Sequence, residues 1–196
     1  MAVLTFRSRS GWTVRICAAL AGVSLWLAGS APARAGGETG TALEYAVKAN
    51  YLYKFAPFVT WPPAAFATPT APFNLCIVGE DPFGPMLDQA AQGQQAEGHP
   101  VVIRRAAVFT PGMACHLLFV GRPKGQSTSE ALRLAAGQPV LTVTDASRGV
   151  AGGMIEFVLK DGRVRFDVNL PLTEADGLQV SSKLLSVAFS VRKSVR

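Results

Sequence analysis

Apolar positions along this chain change their spacing from one segment to the next, and the changes mark its elements. Leu43, Ala46, Val47 and Tyr53 recur at helical intervals, which predicts a helix over 42–56. Thr41 and Glu44 have the spacing of a capping box at its start. Pro57 and then Pro62-Pro63 forbid its continuation, so "FVTWPP" (58–63) reads as an extended exit. Next come four strands, 73–79, 99–106, 115–121 and 139–145, the first a short, nearly continuous apolar run as expected of a strand covered on both faces. Helical segments alternate with them over 81–93 and 127–136, the second opened by a capping box of Ser127 and Glu130.

The pattern then switches to period two. Ile155, Phe157 and Leu159 share one face, with Val164, Phe166 and Val168 as their companions across the turn Lys160-Asp161-Gly162. "SSKLLSVAFSVRK" (181–193) reads as a closing helix capped by Ser181 or Ser182, with Leu184, Leu185, Ala188 and Phe189 toward the core. The expected architecture is a three-layer α/β single domain. Its mixed sheet has parallel early strands in the order 2-1-3-4 and a C-terminal antiparallel hairpin.

The N-terminus changes how the composition is read. Arg7, Arg9 and Arg15 precede the apolar stretch Ile16–Gly29, and "ARA" (33–35) supplies small residues, so residues 1–35 read as a signal peptide cleaved before Gly36. An uncleaved anchor helix is the alternative, disfavoured by the short apolar stretch. Residues 36–40 are then a flexible leader and 41–196 the domain. The whole chain carries 19 basic and 13 acidic residues, net +6; without Arg7, Arg9, Arg15 and Arg34 it falls to +2. With no clustered basic stripe, nucleic acid is not an expected partner. Export to an oxidising compartment leaves Cys76 and Cys115, enough for one intramolecular bridge.

Candidate chemistry is sparse. "GEDPFGP" (79–85), "GRPKGQSTS" (121–129) and "GVAGG" (149–153) lack the order of a dinucleotide fingerprint or a P-loop and read as turns. His99 and His116 sit at strand edges without a nucleophile elbow. Asp145, at the end of a strand, is the best-placed acid, with a loop-capping role the plainer reading. No metal-ligand spacing or cofactor motif is found, and the chain does not read as an enzyme. Ser181, Ser182 and Lys183 open the last helix, where an anion could meet free N–H groups with Arg163 or Arg165 nearby; plain N-capping is the alternative.

Seven stretches, in order, resemble the YfiR-like family of exported bacterial proteins, also described as a domain of unknown function. They are "KANYLYKFAPFVTWP" (48–62), "LCIVGEDPFG" (75–84), "CHLLFVG" (115–121), "LTVTD" (141–145), "GGMIEF" (152–157), "VRFDVNL" (164–170) and "GLQVSSKLLSVA" (177–188). The resemblance implies a periplasmic, dimeric regulator. Such a protein binds the periplasmic sensor portion of an inner-membrane diguanylate cyclase and holds it inactive, until an outer-membrane OmpA-like lipoprotein draws it away. Cys76 and Cys115 match the family's cysteines on the first and third strands, which are neighbours in the order 2-1-3-4, so a disulfide is expected. The further C-terminal cysteine pair of some members has no counterpart here. Phe58 and Trp61 fall in the family's "WP" signature, where buried packing is favoured over partner contact. A function of another class, a periplasmic small-molecule-binding protein signalling to a sensor kinase, stays open beside the regulator.

Overall fold

The computed structural model describes residues 35–193, with side chains from residue 40 onward. The expected signal segment lies outside the described residues, apart from Ala35. The elements follow as α1 (Ala35–Phe55), β1 (Val59–Thr60), β2 (Phe73–Val78), α2 (Pro85–Ala91), β3 (Gln95–Ala96), β4 (His99–Ala106), β5 (Leu117–Val120), α3 (Thr128–Ala135), β6 (Leu141–Asp145), β7 (Ile155–Lys160), β8 (Arg163–Asn169), α4 (Leu170–Ala175), β9 (Gln179–Val180), α5 (Ser182–Val187) and β10 (Ser190–Arg192).

Eight of these strands form one mixed sheet, ordered β10-β8-β7-β6-β5-β2-β4-β3. Its centre is parallel, with β2 paired to β4 and β5, and β6 to β5 and β7. The four early strands stand in the expected relative order, β4-β2-β5-β6. The sheet is wider than the sequence reading, because β3 pairs antiparallel beyond β4 and β10 pairs parallel beyond β8. Every residue of β2 is buried, as its nearly continuous apolar run, interrupted by Asn74, leads one to expect of a central strand.

Helices cover both faces. Leu75, Ile77, Leu117, Phe119 and Phe157 pack with Leu52 and Phe55 of α1 and Leu87 of α2. The alternate positions Cys76, Val78, Leu118 and Val120 pack with Ala131 and Ala135 of α3. The β7–β8 hairpin closes through Asp161 and Gly162, both at positive φ, as a two-residue turn between oppositely running strands demands. Ile155 faces Val168, Phe157 faces Phe166, and Leu159 faces Val164.

Two sequence expectations need correction. Thr41 and Glu44 lie inside α1, which already starts at Ala35, so they form no capping box there, and residues 36–40 are helical. Nor does the last helix run to the end of the chain. α5 stops at Val187, Ala188 turns to extended backbone, and the Phe189 N–H donates to the Phe166 carbonyl at 2.8 Å. The open edge of β8 offers backbone partners that helical propensity cannot match, and β10 takes them. Phe189 is thereby left 47% exposed, while Leu184 is buried as expected.

Candidate functional site

The signature stretch after α1 is tied into the fold at both ends. Val59 and Thr60 pair antiparallel with Val180 and Gln179, and the Ser181 N–H donates to the Phe58 carbonyl at 2.9 Å. This small second sheet joins the exit of α1 to the start of α5. Trp61 is only 4% exposed. Its ring stands edge-on to Phe73 at 5.1 Å, and its indole N–H donates to the His116 carbonyl at 3.3 Å. Phe58 is half-buried and packs on the same core.

Beyond Trp61, the stretch 62–72 is held down by two imidazoles. Phe66 lies between them, 3.9 Å from the His99 ring and 4.4 Å from the His116 ring, nearly parallel to both. The Asn74 N–H donates to His116 Nδ1 at 3.0 Å, which places the proton on Nε2, from where it is donated to the Ala65 carbonyl at 3.1 Å. The carbonyl of Ala71 accepts from His99 Nδ1 at 2.6 Å. Burial holds the His116 imidazole below the ordinary histidine range; the bond to Ala65 opposes this, and the nearby His99 adds to it. The histidines are fasteners for this stretch, a role in which neither needs a nucleophile beside it.

Cys115, immediately before His116, forms a disulfide with Cys76 of β2, with Cα atoms 5.8 Å apart. Both half-cystines are buried on the α3 side of the sheet. Parallel pairing of β2 with β5 brings the two segments side by side.

Asp145, the candidate acid, ends β6 in a buried ionic cluster that the sequence did not announce. Lys48, completely buried on α1, places its Nζ 2.6 Å from Asp145 Oδ2, 2.5 Å from Glu44 Oε1 and 3.0 Å from Ser147 Oγ. The Ser147 hydroxyl donates to Asp145 Oδ1, and Arg148 Nη2 donates to Glu44 Oε2 at 3.0 Å. Two carboxylates thus face two cations in a closed set. Lys48 also lies 5.0 Å from the centre of the Tyr45 ring. Burial raises the Tyr45 phenol above its ordinary range, the Asp145 charge adds to this, and Arg148 opposes it. With its carboxylate committed to an ammonium and a hydroxyl, Asp145 is placed to lock α1 onto the sheet. The sequence signal was faint: Lys48 lies four residues before Leu52 and seven before Phe55, on the buried side of α1.

The suggested anion site is not assembled as expected. Ser181 caps α5, its hydroxyl accepting from the Leu184 N–H, so that donor is already used. Arg163 and Arg165 instead share a shallow depression with Lys160, Asp161 and Phe189, to which Ser181, Ser182 and Lys183 contribute nothing. The glycine segments after β2 and β5 serve close packing: a Cβ on Gly121 would lie 2.3 Å from the Glu80 carbonyl oxygen. Among the described residues no group of three or more His, Cys, Asp or Glu side chains could hold a metal ion.

The disulfide from β2 to the residue just before β5, the buried tryptophan of the "WP" stretch and the late hairpin all lie within one continuous match. The sequence matches the YfiR/HmsC-like family over residues 45–189, from α1 to the turn into β10. The chain belongs to the YfiR/HmsC-like family.

Proposed function

We propose that this protein is a periplasmic regulator that binds the periplasmic sensor portion of an inner-membrane diguanylate cyclase and holds it inactive. In this reading it acts as a homodimer, and an outer-membrane OmpA-like lipoprotein draws it away to release cyclic-di-GMP synthesis and biofilm formation. The observation that carries the reading is family membership across 45–189, nearly the whole of the described fold. The Cys76–Cys115 disulfide supports residence in a compartment that oxidises thiols. Regulation rather than catalysis is supported by the state of the best-placed acid, since Asp145 is bound to Lys48 and Ser147 and is buried.

The test is recovery from the cell envelope. An affinity-tagged copy exported with residues 1–35 intact should bring down a membrane protein that carries a GGDEF output domain. Deleting the gene should raise cyclic-di-GMP, and an exported copy should restore it, while a copy lacking residues 1–35 should not. A deletion strain with unchanged cyclic-di-GMP, in cells that contain the captured cyclase, would overturn the proposal.

A further inference from the structure

Beside the ionic cluster, a cleft of about 240 Å³ opens at the C-terminal ends of β2, β5 and β6. In the strand order β4-β2-β5-β6 the chain leaves β2 toward one side and later returns on the other with β5, so the topology switches direction between these two strands. Open α/β sheets take their ligands in the crevice outside that point. Glu80, just after β2, and Arg122, just after β5, form its two lips.

The walls combine apolar surface with unused donors. Tyr45, Phe119 and Val150 supply the apolar part, and Arg122 and Arg148 the cationic part. Arg148 is fixed in place by Glu44 and by the Tyr45 ring, 5.5 Å from its guanidinium carbon. Its Nε is buried and has no hydrogen-bond partner. Arg122 donates through Nη2 to the Arg148 carbonyl, and its other donors make no hydrogen bond among the described residues. The carboxylates of Glu44 and Asp145 are by contrast occupied by Lys48, Arg148 and Ser147. Glu80, exposed at the rim, is the one carboxylate on the cleft without such a partner.

We propose that this cleft binds a small carboxylate with a compact apolar body. The carboxylate is held by the forked donors of Arg122 and by Arg148, and the body lies against Tyr45, Phe119 and Val150. Two guanidiniums suit the bidentate geometry of a carboxylate, and apolar surface beside a few convergent polar groups is a common make-up of small-molecule sites. The rim carboxylate of Glu80 opposes a simple anion and favours one that also carries a positive group. This site rests on the cleft's own residues alone and not on the proposed regulatory role.

The probe is benzoate, with benzamide as its uncharged counterpart of the same shape, followed by amide NMR of the purified protein. Benzoate should shift amides in 79–81, 121–122 and 145–150, and benzamide should bind at least about tenfold more weakly. Arg122→Gln, a change at a solvent-exposed lip, should weaken benzoate by a similar factor, and Glu80→Gln should tighten it. The proposal is overturned if benzoate leaves the cleft amides unmoved at concentrations that saturate a site of millimolar affinity. Equal binding of benzamide overturns it too, as does undiminished benzoate binding in a folded Arg122→Gln protein.

Discussion

Replacing Lys48 by methionine keeps most of the apolar stem of the side chain and removes the ammonium, with its charge and its three donors. In the native protein that charge sits between Glu44 and Asp145 at 2.5 and 2.6 Å, with no exposure to water. Glu44 retains Arg148 when the ammonium is gone. Asp145, at 3% exposure, is left with the uncharged hydroxyls of Ser147 and Tyr45 and no directly bonded cation. Breaking one side of a buried ion pair typically destabilises by about 3–5 kcal/mol. A second route to the magnitude gives the same range. A buried carboxyl without a cation escapes by taking up a proton, and keeping an ordinary carboxyl protonated at pH 7 means working about three pH units above its usual midpoint, or roughly 4 kcal/mol. That sum is a large part of the 5–15 kcal/mol that typically holds a domain together.

Urea unfolding of Lys48→Met against the parent protein at pH 7 and pH 5 reads both the size and its cause. The deficit should be about 4 kcal/mol at pH 7 and shrink to roughly 1.5 kcal/mol at pH 5, because protonation becomes less costly as pH falls. Adding Asp145→Asn should restore much of the loss, since a neutral amide requires no counter-cation; the double variant would then be more stable than the sum of the singles predicts. A deficit below about 1 kcal/mol at pH 7, or one that does not change with pH, refutes the account of Lys48 as the charge that holds α1 to β6.

Other expectations follow from neighbouring features. Cys76→Ser and Cys115→Ser should each lose roughly 4 kcal/mol, as for a closed loop of 39 residues, and the double variant should be little worse than either single. Digestion without reductant should release one linked peptide pair, and two free thiols in the oxidised protein would exclude the bridge. His116 has a folded-state affinity for protons below the unfolded value, so its contribution to stability is present above about pH 6.5 and is lost as pH falls toward the depressed folded midpoint. A ring-proton NMR titration of His116 with its midpoint at or above about 6.5 would contradict this. Phe189→Ser should change stability by no more than about 1 kcal/mol, as expected of a half-exposed ring, whereas a residue on the core face of a long terminal helix would cost several times as much.

The parts of the fold that were legible in the sequence are those where the local pattern and the long-range structure agree. The nearly continuous apolar runs of β2 and β5, the Asp161-Gly162 turn and the Ser127 cap need no distant partner to be recognised. Lys48 was not legible, because its principal partner, Asp145, lies 97 residues away and a lysine in an amphipathic helix ordinarily points to water. Thr41 and Glu44 misled for a related reason: their spacing matches a cap, but Glu44 is held by side chains at positions 48 and 148. β10 was hidden in a segment with helical spacing, where the free edge of β8 outweighs local preference. The cysteine pair was accessible because the strand order made its two strands neighbours. The cleft between Glu80 and Arg122 was not, since it is assembled from four separate segments of the chain.

Residues 36–196 contain a single tryptophan, because Trp12 and Trp26 both fall in the N-terminal 35 residues. That one indole is Trp61, sealed against Phe73 and bonded to the backbone of His116, at the foot of the stretch the two histidines fasten. The tryptophan fluorescence of residues 36–196 therefore has one source in one environment. Its emission should be that of an indole in an apolar setting, and any shift to longer wavelength reports water reaching this spot. Recorded beside far-ultraviolet circular dichroism, which follows the sheet, it separates a local release of residues 62–72 from collapse of the whole domain. No label or engineered residue is needed for that distinction.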